Sequence, residues 1–127
     1  MKKLSILVFL LEMYFVGVAQ NCNLPSIHFD NGRTNIKQEF YQDIGYVANF
    51  LKENPTQKLL ITGFDTKEAD LAIRRAEKVM AFLVNNFKIS CENVGTKAKV
   101  IIIPDGPNKK QLVDYFNRRV EFECIAL

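Results

Sequence analysis

A two-layer α/β sandwich, with helices packed on one face of a sheet, is the fold this sequence predicts, and three observations predict it. Apolar residues recur at Ile36, Phe40, Ile44, Val47 and Leu51, in steps of four and three that line one face of a helix. A second stripe, Ala72, Ala76, Val79, Leu83 and Phe87, does the same, while Arg74, Glu77, Lys78 and Asn85 fall largely on the other side. Around these stripes lie short apolar or alternating runs that read as strands, so the order is strand, helix, strand, helix, strand, strand.

Residues 1–19 stand apart from that pattern. Met1-Lys2-Lys3 is a short basic start, residues 4–11 and 13–18 are apolar around Glu12, and Gly17-Val18-Ala19 ends on small residues. Such a segment reads as an export signal cut after Ala19, leaving Gln20 first. A retained anchor fits less well. As a helix, residues 4–19 would span roughly 24 Å against a hydrocarbon core of about 30 Å, with Glu12 near the middle. Cys22 follows Ala19-Gln20-Asn21 rather than a small-residue lipobox, and the terminal Cys124-Ile125-Ala126-Leu127 matches a prenylation box only in its letters, because an exported chain does not meet that cytosolic enzyme.

The elements of the mature chain follow in order. Residues 20–26 are a polar, proline-bearing lead-in, and the domain proper covers 27–127. Ile27-His28-Phe29 alternates like a half-buried strand and ends at Asp30-Asn31-Gly32. His28 points away from its apolar neighbours and, as the only histidine, reads as a strand-surface residue. Asn35 can cap the first helix with Gln38 completing a capping box, and Asn54-Pro55 stops it. Lys58-Leu59-Leu60-Ile61-Thr62-Gly63-Phe64 is apolar enough for a central strand. After the second helix, residues 97–103 read as a third strand, Pro104-Asp105-Gly106-Pro107 as a turn, and 110–117 as a helical turn. Residues 118–125 then alternate, with Val120, Phe122 and Cys124 inward and Glu121 and Glu123 outward.

Removing residues 1–19 leaves 108 residues with 15 basic and 13 acidic side chains, a net charge of +2. That length suits one domain, and so mild a balance provides no footprint for nucleic acid. Cys22, Cys91 and Cys124 all survive the cut and would meet an oxidising compartment. One disulfide with a thiol left over, or a reduced buried trio, both fit, and spacing does not choose the pair. The chemistry of an enzyme is missing: Ser26, Ser90 and His28 sit in no nucleophile turn, and there is no phosphate loop, Cys-x-x-Cys, helical His pair or calcium loop. The reading is non-enzymatic, with no cofactor and no metal.

Four pieces carry a family pattern: Ile27-His28-Phe29-Asp30 before a helix; Asn54-Pro55 leading to Leu60-Ile61-Thr62-Gly63-Phe64-Asp65; Leu71-Ala72-Ile73-Arg74-Arg75-Ala76-Glu77-Lys78-Val79; and Asn117-Arg118-Arg119-Val120-Glu121. In this order, behind an export signal, the chain resembles the OmpA-like C-terminal domain of outer-membrane proteins, peptidoglycan-associated lipoproteins and flagellar stator proteins. The resemblance implies a periplasmic or outer-membrane-associated domain that grips the diaminopimelate of a peptidoglycan stem peptide between an Asp and an Arg. An Arg fork suits the ligand's carboxylate and an Asp its ammonium. By motif the Arg is Arg75; the Asp is Asp65, or the position falls on Thr66 if the strands align without a gap.

The segment joining these residues departs from the family. It is several residues shorter, lacks the usual Gly, Asn and Ser, and carries Phe64 where the family has a histidine. Asp65 with Glu68 is also a good helix cap, and Arg75 alone reads as a solvated helix residue. If the helix begins at Asp65, Arg75 lies roughly 15 Å along its axis and the pair cannot share one ligand head. If it begins near Asp70, Arg75 leans back from the second turn and a reduced pocket survives. Arg74 can pair with Asp70 across one turn, Arg118 and Arg119 take strand-end positions, and Lys97, Lys99, Lys109 and Lys110 form a wet basic rim. A peptidoglycan-binding module is the first reading. The second is a member that has lost the pocket and serves protein association in the envelope through a sheet edge or residues 100–103.

Overall fold

The computed structural model describes residues 19–20, 22–101 and 115–125. Within them the chain forms β1 (Ala19–Gln20), β2 (Ile27–His28), α1 (Tyr41–Glu53), β3 (Lys58–Asp65), α2 (Ala69–Phe87), β4 (Val94–Val100) and β5 (Arg119–Ile125). The sheet runs β1-β5-β3-β4, with β2 also pairing β5. Only β3 and β4 are parallel, joined through α2 as a βαβ unit; β5 lies antiparallel to β3 on its other side. The mixed α/β architecture read from the sequence is the one observed.

Helix α1 buries Ile44, Val47, Ala48 and Leu51, and α2 buries Ala72, Ala76, Val79 and Leu83, against Leu59 and Ile61 of β3 and Val120 and Phe122 of β5. Each large aliphatic side chain in that layer contributes about 1.5–3 kcal/mol relative to exposure. The closest approach between layers is at Gly63, where an added Cβ would lie 1.8 Å from the Ala72 carbonyl oxygen. The absence of a side chain there lets the first turns of α2 rest directly on β3.

Several boundaries differ from the sequence reading. The Asn35 capping box does not form: a 3-10 turn, Gln38–Phe40, precedes α1, and its extended N-cap, Lys37, makes no side-chain cap. Ile36 and Phe40 still pack on the core, so their apolar spacing reflects burial rather than helix. Strand β4 begins at Val94 and not Lys97, because its parallel register with β3 starts at Leu59↔Val94; Gly95 hides that start in the sequence. Residues 115–116 have helical backbone. The 104–107 turn, Lys109 and Lys110 and the rest of the expected helical turn lie outside the described residues, as do residues 102–103 of the third strand and nearly all of the expected export segment.

The lead-in is held at both ends. It is flanked by two short antiparallel pieces on β5, Ala19↔Ile125 at one end and His28↔Arg119 at the other, and the bond at which cleavage is expected falls inside β1. Between the pieces Cys22 is disulfide-bonded to Cys124, which leaves Cys91 as an exposed thiol, so the cysteines are not a reduced buried trio. Among the described residues no helix is long and apolar enough to cross a membrane, and no cluster of His, Cys, Asp or Glu could hold a metal ion.

Candidate functional site

The end of β3 and the start of α2 decide how the expected site residues meet. Strand β3 stays extended through Asp65, which pairs with Val100 and accepts a further hydrogen bond on its carbonyl from the Ile101 N–H at 2.9 Å. The Asp65 carboxylate then closes the bend that follows: Oδ2 accepts from the N–H groups of Lys67 at 3.0 Å and Glu68 at 2.8 Å. Helix α2 starts at Ala69 with Glu68 as an extended N-cap, so Asp65 is not the helix cap, and the later of the two expected starts is the one observed.

With that start, Arg75 comes back onto Asp65. Its Nη1 donates to Asp65 Oδ1 at 3.0 Å and to the Phe64 carbonyl at 2.9 Å, its Nε donates to the Arg33 carbonyl at 2.9 Å, and Nη2 reaches the Asp30 carbonyl at 3.3 Å. The guanidinium also lies over the Phe29 ring, 5.4 Å from its centroid. Far from being a solvated helix residue, Arg75 has 0% of its side chain exposed. The signal for this was present: Arg75 stands three residues after Ala72 and four before Val79, on the apolar stripe itself.

Burial pushes the Asp65 carboxyl upward, but the Glu68 and Lys67 N–H groups and then the Arg75 guanidinium outweigh it and hold the group below its ordinary value. Asp65 is therefore a fixed carboxylate at neutral pH. It sits at the edge of a cleft of about 420 Å³ lined by Asn31, Gly32, Thr66, Lys67, Glu68, Asp70, Leu71 and Arg74 as well. Of the three expected site residues, Asp65 and Thr66 line the cleft; Arg75, expected to face the ligand's carboxylate, is instead buried against Asp65 and is not part of the lining. The lining includes side chains of both signs, and Arg74 pairs with Asp70 across one helical turn at its rim.

The Asn31-Gly32 wall was not singled out in the sequence, because it comes from the loop after β2, which meets α2 only in the fold. Its shape depends on a turn, with Arg33 N–H bonded to the Asp30 carbonyl at 3.0 Å and Gly32 at φ 68°. Arg118 holds this loop from the other side: its Nε donates to the Phe29 carbonyl at 3.2 Å, and the Phe29 N–H donates to the Arg118 carbonyl at 2.8 Å. Arg119 lies over the Phe64 ring, 3.9 Å from its centroid, and bonds Glu121 and Asn117. His28, expected on the surface, is half-buried with its ring stacked on Tyr115 at 5.6 Å, and burial followed by the charges of Arg119 and Arg118 lowers its pKa.

The model of the OmpA family matches residues 28–114, a span that runs from the end of β2 through α1, β3, α2 and β4 and takes in the cleft. The chain belongs to the OmpA family. Among curated relatives, outer membrane protein Omp38 of Acinetobacter baumannii is 28% identical over 100 residues, 74% of this chain, and the match covers 28% of Omp38's own length. This OmpA-family chain therefore aligns with under a third of that larger protein. Its fold is similar to that of the peptidoglycan-associated lipoprotein of Burkholderia pseudomallei, with a TM-score of 0.69 at 19% identity over 78% of this chain and 88% of the other. The C-terminal domain of Helicobacter pylori MotB gives 0.67 at 20% identity, covering 79% and 83%. The OmpA-like domain of FopA1 from Francisella tularensis gives 0.65 at 17%, covering 90% and 82%.

Proposed function

We propose that this chain is an exported, non-enzymatic envelope domain of the periplasm or outer membrane that holds peptidoglycan non-covalently through a stem peptide of the diaminopimelate type. The observation that carries the reading is the Asp65 carboxylate, fixed by three hydrogen bonds at the edge of a cleft lined with both signs of charge. A diaminopimelate end presents an ammonium and a carboxylate, and such a cleft offers each a counterpart. Asp65 takes the ammonium and the Thr66 hydroxyl joins the same head. Arg75 acts through Asp65, holding that carboxylate in place, and the N-terminal turn of α2 favours the ligand's carboxylate. OmpA-family membership and fold similarity to a lipoprotein that bears peptidoglycan in its name support this.

One observation favours a second reading, in which the domain has lost the pocket and serves protein association in the envelope. Arg75 is wholly enclosed, and its side chain is engaged within the protein. Sedimentation with purified peptidoglycan separates the two. The first reading has wild type pelleting and Asp65→Ala staying in the supernatant; wild type that stays in solution, or both pelleting alike, sinks it.

A further inference from the structure

A second depression, of about 370 Å³, runs along α2 beyond the cleft and has a different chemistry. Its walls are Asn35, Tyr41, Lys78, Phe82, Asn85 and Asn86, with Ile36 and Ala81 as the aliphatic part. The four helical positions, 78, 82, 85 and 86, are spaced to share one face of α2. Two of the lining rings, Tyr41 and Phe82, have centroids 5.0 Å apart and are tilted by 36°. Tyr41 is 42% exposed although its ring makes that contact, whereas Phe82 is half-buried against the core and Phe87, so the open aromatic face is that of Tyr41. Three carboxamides and one ammonium surround it, and no carboxylate lines it.

That combination selects among ligand classes. A carboxamide offers both donors and an acceptor, which suits hydroxyl and acetamido groups, and an aromatic face suits the C–H face of a sugar ring. An apolar peptide would leave three carboxamides without partners on its surface, and an acidic chain would find one lysine. We infer that the Tyr41–Phe82 groove is a binding site for a glycan of N-acetylated amino sugars.

Its position gives this a use. Asp70, Arg74 and Lys78 step along α2 at intervals of four, joining the cleft to the groove, and the loop that supplies Asn31 and Gly32 to one supplies Asn35 to the other. From Arg74 to Phe82 is roughly 12 Å along the helix axis. A polymer in which a peptide branches from a sugar would place its peptide end beside Asp65 and its sugar on Tyr41. This pairing of ends rests on the function proposed above; the sugar site itself does not.

The test titrates labelled protein with a linear N-acetylglucosamine tetramer and, separately, with a tripeptide ending in diaminopimelate, following amide and side-chain carboxamide resonances. The tetramer should shift Tyr41, Phe82, Asn85 and Asn86. Tyr41→Ala should weaken it about tenfold or more, and Asn85→Ala, a surface change, several-fold, with tripeptide binding unchanged in both. If Tyr41→Ala does not fold, Asn85→Ala decides. The groove assignment is overturned if saturating tetramer leaves these resonances in place, or if the folded variants bind it as wild type does. Failure of the tripeptide alone would count against the stem-peptide reading and leave the groove standing.

Discussion

Among the described residues the Asp65 carboxylate and the Arg75 guanidinium are the buried charges, and each is satisfied by the other and by backbone. Breaking such a pair by removing one partner strands a buried charge, at about 3–5 kcal/mol. Arg75→Ala should lose stability of that order in urea unfolding, and Arg75→Lys most of it, since an ammonium cannot reach the Arg33 and Phe64 carbonyls and Asp65 together. The pH dependence has a defined sign. The folded pKa of Asp65 lies below the ordinary value of about 3.9, so its contribution is full above that value and fades as pH falls through the lower, folded one. Unfolding measured from pH 7 down to 2 should show wild type losing stability on the acid limb faster than Asp65→Asn; equal acid slopes would mean that the network does not hold the charge. The family motif made both residues legible in the sequence, but not that they bond each other. That contact depends on where α2 starts, which the capping arrangement of Asp65 and Glu68 misdirects.

At the scale of elements, the site exists because α2 lies directly on β3. Gly63 permits this, and a methyl group there would overlap the Ala72 carbonyl, a backbone atom that cannot rotate away. Gly63→Ala should therefore cost about 3 kcal/mol or more, read as a drop in thermal midpoint, and should disturb the cleft by lifting the first turns of the helix. At its other end α2 closes on Lys88, whose φ of 60° is a left-handed conformation that favours glycine. Lys88→Gly should raise stability by about 0.5–1 kcal/mol in the same assay. The periodicity of Ala72, Ala76, Val79 and Leu83 made this helix readable. The extent of β4 was not, because it is set by pairing with β3 rather than by anything in Val94-Gly95-Thr96 itself. Asn31 and Gly32 escaped for the same kind of reason: they meet α2 only through contacts between segments far apart in the chain.

For the molecule as a whole, the lead-in and the last strand act together. The Cys22–Cys124 disulfide closes a loop with a sequence separation of 102, fixing the broken edge formed by β1 and β2 to β5. Reduction should lower stability by about 2–5 kcal/mol, and Cys22→Ala should match the reduced protein; an unchanged midpoint on adding reductant would show that the edge holds without it. The domain is thus a tied sheet that carries a charged cleft at the β3–α2 junction. The central claim is that this cleft receives a diaminopimelate end, and titration with the soluble tripeptide, followed through the backbone amides, tests it most directly. The account predicts saturable shifts confined to Asn31, Gly32 and residues 65–74, abolished in Asp65→Ala. Shifts elsewhere, or none at saturating peptide, would contradict it.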